Sequence, residues 1–461
     1  MHFFRVIEKQ PQRKLKACRE AAFYSTMLLM LKHTLTTLDS GLKVLQIPID
    51  SVKSATVLLL CNTGSRYEVA HNFGIAHFLE HMVFKGTNKF PTAQSLAEAV
   101  DNVGADFNAF TGKEYTGYYV KAASEHLELA LDVVSDMLMT PQLRQEDIDR
   151  EKGVIVEEMN MYADMPARYI GDLFEQMLFA GSGLEHNIIG TKETVINATT
   201  ADFQRFLQQW YGLENMVLIV AGDASVVGGG ALLGQAEKAF GKGAAAPRQQ
   251  HQEVLPLLST QPISTQQLLV HHKTTEQAHF ILGFPGVKRT DPDKYAISVL
   301  STIVGGNMSS RLFSEIREKR GLCYYIHSDS DHYHDTGFFG AAAGVDPQRV
   351  DEAVTVTMEE LTALSGKKPI TAAELVKAKD YVAGKMVLGL EDSESVAQFF
   401  GMRQLLYGEI ESPEQVIAEI RNVTLGDLER VIARLIKPDQ VRFGIIGPYE
   451  DEDRFKKLLA L

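Results

Sequence analysis

Hydrophobic and polar positions along the chain follow two alternating periods. Ala55 to Asn62 and Gln267 to His271 read as strands that open two halves of the chain, and Met216 to Gly222 and Val441 to Gly447 read as buried strands that close them. Helical periodicity runs over Leu127 to Met139 and Ile148 to Met161 in the first half. In the second it runs over Val350 to Leu364 and Leu375 to Leu388. Thr116-Gly117-Tyr118-Tyr119 recurs as Thr336-Gly337-Phe338-Phe339, an offset of 220. Each copy leads into a long helical pattern interrupted by Pro141 or Pro369. The pattern predicts an internally duplicated α/β chain: two similar domains, each a mostly antiparallel sheet with helices packed on it. The expected division is an extension over 1–33, a first domain over 34–245, a linker over 246–262 and a second domain over 263–461.

Composition narrows the class. Hydrophobic residues make up 45% and charged residues 23% of the 461, as in a globular protein. The net charge of −13 argues against a nucleic-acid partner. No apolar run reaches the roughly 18 residues needed to span a bilayer. Cys18, Cys61 and Cys323 are scattered and odd in number, which predicts no disulfide framework and suits a reducing, cytoplasmic setting. Residues 1–26 are rich in Arg and Lys ahead of an apolar patch. They read as a plain extension, with mitochondrial or exported targeting as the alternative.

The duplication isolates one cluster as chemistry. His77, Glu80 and His81 fall at i, i+3 and i+4, on one face of a helix. Composition alone would yield about 0.05 such patterns in a chain with this many His and acidic residues. At the same offset the second half has Ile297, Leu300 and Ser301, so the fold itself does not need the polar triplet. Two imidazoles one turn apart can share a metal ion, and a catalytic zinc takes three protein ligands plus an open position. Glu151 and Glu158 lie two helical turns apart and share a face, whereas Glu157 points elsewhere. On spacing alone they fit a solvated helix face equally well.

His77-Phe-Leu-Glu80-His81 is an inverted zinc motif, and 76 residues (82–157) separate His81 from Glu158. With Gly74-Ile-Ala-His77, Lys85-Gly86-Thr87, Asn108-Ala109-Phe110-Thr111 and Asp164-Met-Pro166, the chain resembles the pitrilysin/insulinase metallopeptidases. Within that family it resembles the mitochondrial-processing-peptidase-like branch, over nearly the whole chain after residue 33. The resemblance implies zinc, one ion per chain, on His77, His81 and Glu158, with Glu80 as general base and Glu151 supporting the ligands. It implies that Asn108 to Thr111 form a strand edge on which substrate backbone pairs. Gly305-Gly306-Asn307 through Arg311, then Arg317 and Tyr324, resemble the stretch whose Arg and Tyr hold the scissile carbonyl. The expectation is therefore a zinc endopeptidase acting on peptides or unfolded, presequence-like segments inside a chamber, as a homodimer. A catalytically silent structural subunit, or one partner of a heterodimer, is the alternative. Asp331 to Asp335, with His332 and His334, reads as an exposed strand or loop rather than a second metal site.

Overall fold

The computed structural model describes residues 31–241 and 265–460, so the proposed linker, Cys18 and most of the extension lie outside the described residues. Among the described residues eleven strands form two sheets. The first contains β1 (Thr34–Thr37), β2 (Lys43–Ile49), β3 (Ser54–Cys61), β4 (Asp106–Thr111), β5 (Thr116–Ala123) and β6 (Met216–Asp223), in the order β1-β2-β6-β3-β5-β4. The second contains β7 (Leu268–His272), β8 (Ala278–Pro285), β9 (Cys323–His332), β10 (Gly337–Val345) and β11 (Arg442–Gly447), in the order β7-β11-β8-β10-β9. Once β1 is set aside, the two orders match strand for strand. Each sheet has one parallel pair, β2 with β6 and β7 with β11, and the remaining pairs are antiparallel. The duplicated, mixed fold expected from the sequence is present. The opening strand is not where the pattern placed it: β1 and β2 precede Ala55, and the counterpart of Gln267–His271 is β2. Gln46 and Pro48 break the apolar run of β2. The Gln46 amide is nonetheless satisfied inside the fold, donating to the carbonyls of Val227 and Gly229.

Each sheet is covered on one face by helices of its own half. On the other face it is covered by a helix from the opposite half. The helix Pro166–Leu178 lays Ile170, Phe174 and Met177 against Ile281 and Ile446 of the second sheet. The helix Ser393–Tyr407 lays Val396, Ala397 and Phe400 against Leu58, Leu60, Val217 and Ile219 of the first. The approach is close enough that a Cβ at Gly401 would stand 2.7 Å from Ile219 Cδ1, so only glycine fits there without a shift. Thr56 Oγ1 and Ser393 Oγ, 2.8 Å apart and buried, add a polar contact to this exchange.

Charged residues also join the halves. Arg66, 2% exposed, reaches Glu114 at 2.6 Å and both carboxylate oxygens of Asp335 at 2.6 and 2.7 Å. The other oxygen of Glu114 meets Arg289, and its first also accepts the His334 amide at 3.0 Å. Burying charges at this density is tolerable because each has an opposite partner, with the two terminal nitrogens of Arg66 divided between Glu114 and Asp335. The loop after β9 therefore joins the halves, a role that a reading as exposed histidines did not anticipate.

Candidate metal centre

Two helices build the centre. The first, Ile75–Met82, buries Ile75, Ala76, Phe78, Leu79 and Met82, and this packing leaves His77, Glu80 and His81 on its remaining face. It starts at Gly74, whose φ of 91° and whose contact at 2.5 Å from a would-be Cβ to the Ile189 carbonyl leave no room for a side chain. The second, Gln145–Ala163, crosses it with Glu151 and Glu158 on one face, while Glu157 is exposed.

His77 Nε2 and His81 Nε2 stand 3.6 and 3.4 Å from Glu158 Oε2. Ligands bound at about 2.0 Å in a tetrahedron lie about 3.3 Å apart, so the separations suit a single small ion. Among the described residues these three form the one group of His, Cys, Asp or Glu whose candidate ligand atoms all lie within 4.8 Å of one another. His81 turns its other nitrogen, Nδ1, to Glu151 Oε1 at 3.0 Å, and Lys85 holds Glu151 Oε2 at 2.6 Å. A carboxylate behind an imidazole fixes the ring's orientation and tautomer. The Tyr162 hydroxyl donates to Glu158 Oε1 at 2.6 Å, leaving Oε2 to face the histidines. His77 Nδ1 is buried with no hydrogen-bond partner among the described residues.

Electrostatics favour a cation at this point. Burial works against a proton on His81, but hydrogen bonds to Glu151 and Glu158 overcome it and carry its pKa up to about 9. Hydrogen bonds from His77 and His81, opposed by burial, hold Glu158 well below the usual carboxylate range. Burial raises and the bonds from His81 and Lys85 lower the pKa of Glu151, with a net fall. Borderline nitrogen and hard oxygen donors, with one carboxylate (Glu151) and one hydroxyl (Tyr162) behind them, fit a divalent ion such as zinc.

Glu80 is oriented separately. Its Oε2 accepts the Thr111 hydroxyl at 2.5 Å, at the end of β4, and β4 is an edge strand of the first sheet. Asn108, Ala109, Phe110 and Thr111 all lie on this edge strand; Ala109 is 8% exposed and Phe110 packs toward the opposite face. Arg317 and Tyr324 lie apart from the cluster. Arg317 falls in a π-helical turn, Phe313–Glu318, with its guanidinium 4.6 Å from the Phe313 ring centre and 5.8 Å from that of Tyr324. Tyr324 is 76% exposed, and neither side chain is hydrogen-bonded to the three candidate ligands. Arg311 is committed elsewhere, paired with Glu374 and with the carbonyls of Lys368 and Pro369. The duplicate helix, Lys294–Val304, buries Ile297, Leu300 and Ser301 at the positions matching His77, Glu80 and His81. Sequence reasoning missed Tyr162, and it named Lys85 and Thr111 without their bonds to Glu151 and Glu80. Tyr162 at i+4 from Glu158 was a readable signal; the other two depend on the fold.

Residues 43–192 match the family described as "Insulinase (Peptidase family M16)", and residues 197–382 match "Peptidase M16 inactive domain". An uncharacterized zinc protease of Streptomyces coelicolor is 38% identical over 419 residues, covering 90% of each chain. The uncharacterized zinc protease YmxG of Bacillus subtilis is 33% identical, covering 89% of this chain and 97% of its own. The crystal structure of a protease from Helicobacter pylori superposes with a TM-score of 0.80 at 25% identity, over 90% of this chain and all of that one. A peptidase M16 inactive domain from Pseudomonas fluorescens shares the fold at a TM-score of 0.80 and 19% identity, over 91% of this chain and 98% of its own. With relatives spanning nearly its full length and the inverted motif on a helix facing a glutamate-bearing partner, the chain belongs to the M16, or pitrilysin/insulinase, family of peptidases.

Proposed function

We propose that this protein is a zinc-dependent endopeptidase, with His77, His81 and Glu158 as ligands and Glu80 as general base. One observation carries the reading: Glu80 lies on the short helix that bears two of the three convergent donors and is bonded to Thr111 of the edge strand β4. The base and the surface that would take an extended peptide are thus one physical unit. A zinc ion held there would supply Lewis acidity toward a carbonyl and toward water. Glu80 takes a proton from the attacking water and returns it to the leaving nitrogen. Glu151 and Tyr162 keep His81 and Glu158 oriented, by the bonds given above. Once the halves close on the substrate, Arg317 and Tyr324 donate to the oxygen of the scissile carbonyl, and Tyr324 is exposed to receive it. The substrates are peptides or unfolded, presequence-like segments, enclosed between the halves. The working unit is a cytoplasmic homodimer with one zinc per chain; among the described residues no helix is long and apolar enough to cross a membrane.

The test is metal content together with cleavage of a mixed peptide library, comparing wild type with Glu80→Gln. Zinc bound by both, with cleavage only by wild type, supports the proposal. A fully active Glu80→Gln would falsify the role of Glu80. Zinc without cleavage by wild type would assign the chain to a two-subunit enzyme, and absence of zinc would make it a silent structural subunit.

A further inference from the structure

The geometry points to Glu68 as a positioning residue that sets the rotation and depth of the histidine-bearing helix. The inference rests on the zinc reading given above. A helix begins with N–H groups that have no partner within the helix. Here the first cap position is Gly74, which has no side chain to supply one. Glu68, six residues earlier and with a fully buried side chain, takes over that function: Oε2 accepts the Gly74 N–H at 2.7 Å and Oε1 accepts the Ala76 N–H at 2.8 Å. Ala76 immediately precedes His77. A carboxylate is also the favourable charge at this end of a helix.

The carboxylate is itself held from behind. His186 Nε2 lies 3.2 Å from Glu68 Oε2 and 2.5 Å from the Ser65 carbonyl, and its ring stacks on Phe73 at 3.9 Å. The His186 carbonyl accepts Lys113 Nζ at 2.7 Å; Lys113 pairs with Glu175 at 3.3 Å, and Glu175 accepts the Tyr333 hydroxyl of the second half at 2.6 Å. Nothing in this chain of bonds touches the candidate ligands.

The helix it grips has only eight residues. Two turns make few internal hydrogen bonds, so external contacts decide its orientation. A residue step is about 100° of rotation, so a modest turn of the helix would swing the rings of His77 and His81 off their common point with Glu158. Fixing both oxygens of Glu68 to two donors of the first turn resists that rotation.

The experiment uses the full chain with Glu68→Gln. Glutamine keeps the shape but supplies only one acceptor, so one of the two amides loses its partner. Zinc affinity is read by competition with a chromophoric chelator, the melting temperature of the metal-free protein by circular dichroism, and kcat and KM on a cleaved peptide. The expected result is zinc bound about tenfold more weakly, lower kcat and unchanged KM. Where Glu68→Gln does not fold, His186→Ala removes the group that holds the carboxylate from behind and is expected to weaken zinc in the same direction but by less. A variant that binds zinc as tightly as wild type overturns the inference, and so does a lower melting temperature with unchanged zinc affinity. If wild type itself binds no zinc, the zinc reading fails and takes this inference with it; wild-type binding matched by the variant sinks this inference alone.

Discussion

Replacing Glu151 with glutamine tests whether the metal centre depends on the residue behind His81. Glu151 is 5% exposed and takes two donors at once, His81 Nδ1 at 3.0 Å and Lys85 Nζ at 2.6 Å. Glutamine has the same size but only one acceptor oxygen. Its amide nitrogen must then face either the imidazole N–H or the ammonium group, two donors meeting in a nearly buried place. In the first case the imidazole loses the partner that fixes its tautomer with Nε2 toward Glu158; in the second it keeps only a neutral acceptor in place of a carboxylate. Loss of such a partner weakens metal binding by about 10–100-fold, or about 1.4–2.7 kcal/mol. Zinc affinity would be read by chelator competition at constant pH, with the melting temperature of the metal-free protein as a check on folding. Lys85→Ala should have a smaller effect in the same direction, because Glu151 keeps its bond to His81. Zinc affinity within about twofold of wild type in Glu151→Gln would refute the reasoning, since Glu158 and the two histidines would then suffice unaided.

Other perturbations separate base, core and surface. Thr111→Val removes the hydroxyl that orients Glu80 and should lower kcat about tenfold, the worth of one hydrogen bond to a charged group, while zinc affinity stays unchanged. A parallel loss of zinc would show that Thr111 supports the ligands instead. Phe400→Ala empties a fully buried site between a helix of the second half and the first sheet, and should cost about 3–5 kcal/mol in urea denaturation; a loss under about 1 kcal/mol would mean the helix is not held there in solution. Glu374 gives a pH signature. Burial opposes its charge, but Arg311 and Thr371 hold its pKa at about 2, below the ordinary 4.5. Its contribution is therefore present above about pH 4.5 and fades as the pH falls toward 2. After discounting for screening of a partly exposed pair, Glu374→Gln should cost about 1 kcal/mol at neutral pH and close to nothing once the pH falls to about 2; a cost independent of pH would refute the assignment.

What the sequence disclosed follows the range of the forces involved. The histidine helix was readable because His77, Glu80 and His81 lie within one helical turn or so, and helical geometry alone places them on one face. Glu158 was not fixed by its spacing from Glu151, which fits a wet helix equally well; the resemblance singled it out, and the structure brings it to the histidines. The duplication was readable from the Thr116 and Thr336 repeats, whereas the strand order came only with the structure. β2 was missed because a glutamine and a proline interrupt it, and the glutamine is satisfied by distant partners. The role of Arg66 was invisible for a similar reason: its acceptor Asp335 is 269 residues away, and nothing local distinguishes it from a solvated arginine. The helix Pro166–Leu178 was not marked in the sequence, and no local pattern could say that its apolar face covers the sheet of the other half.

The exchange of covering helices bears on how the chain can be divided. A cut between Gly241 and Thr265 would separate the two sheets in sequence without giving two independent proteins. The N-terminal fragment would expose Ile170, Phe174 and Met177 and lack a cover for its own sheet, while the C-terminal fragment would expose Phe400 and lack one for Ile281 and Ile446. Each fragment is therefore the complement the other needs. Co-expressed, the two should reassemble into an interlocked pair with a working metal site; expressed singly, each should aggregate through the face its partner normally shields.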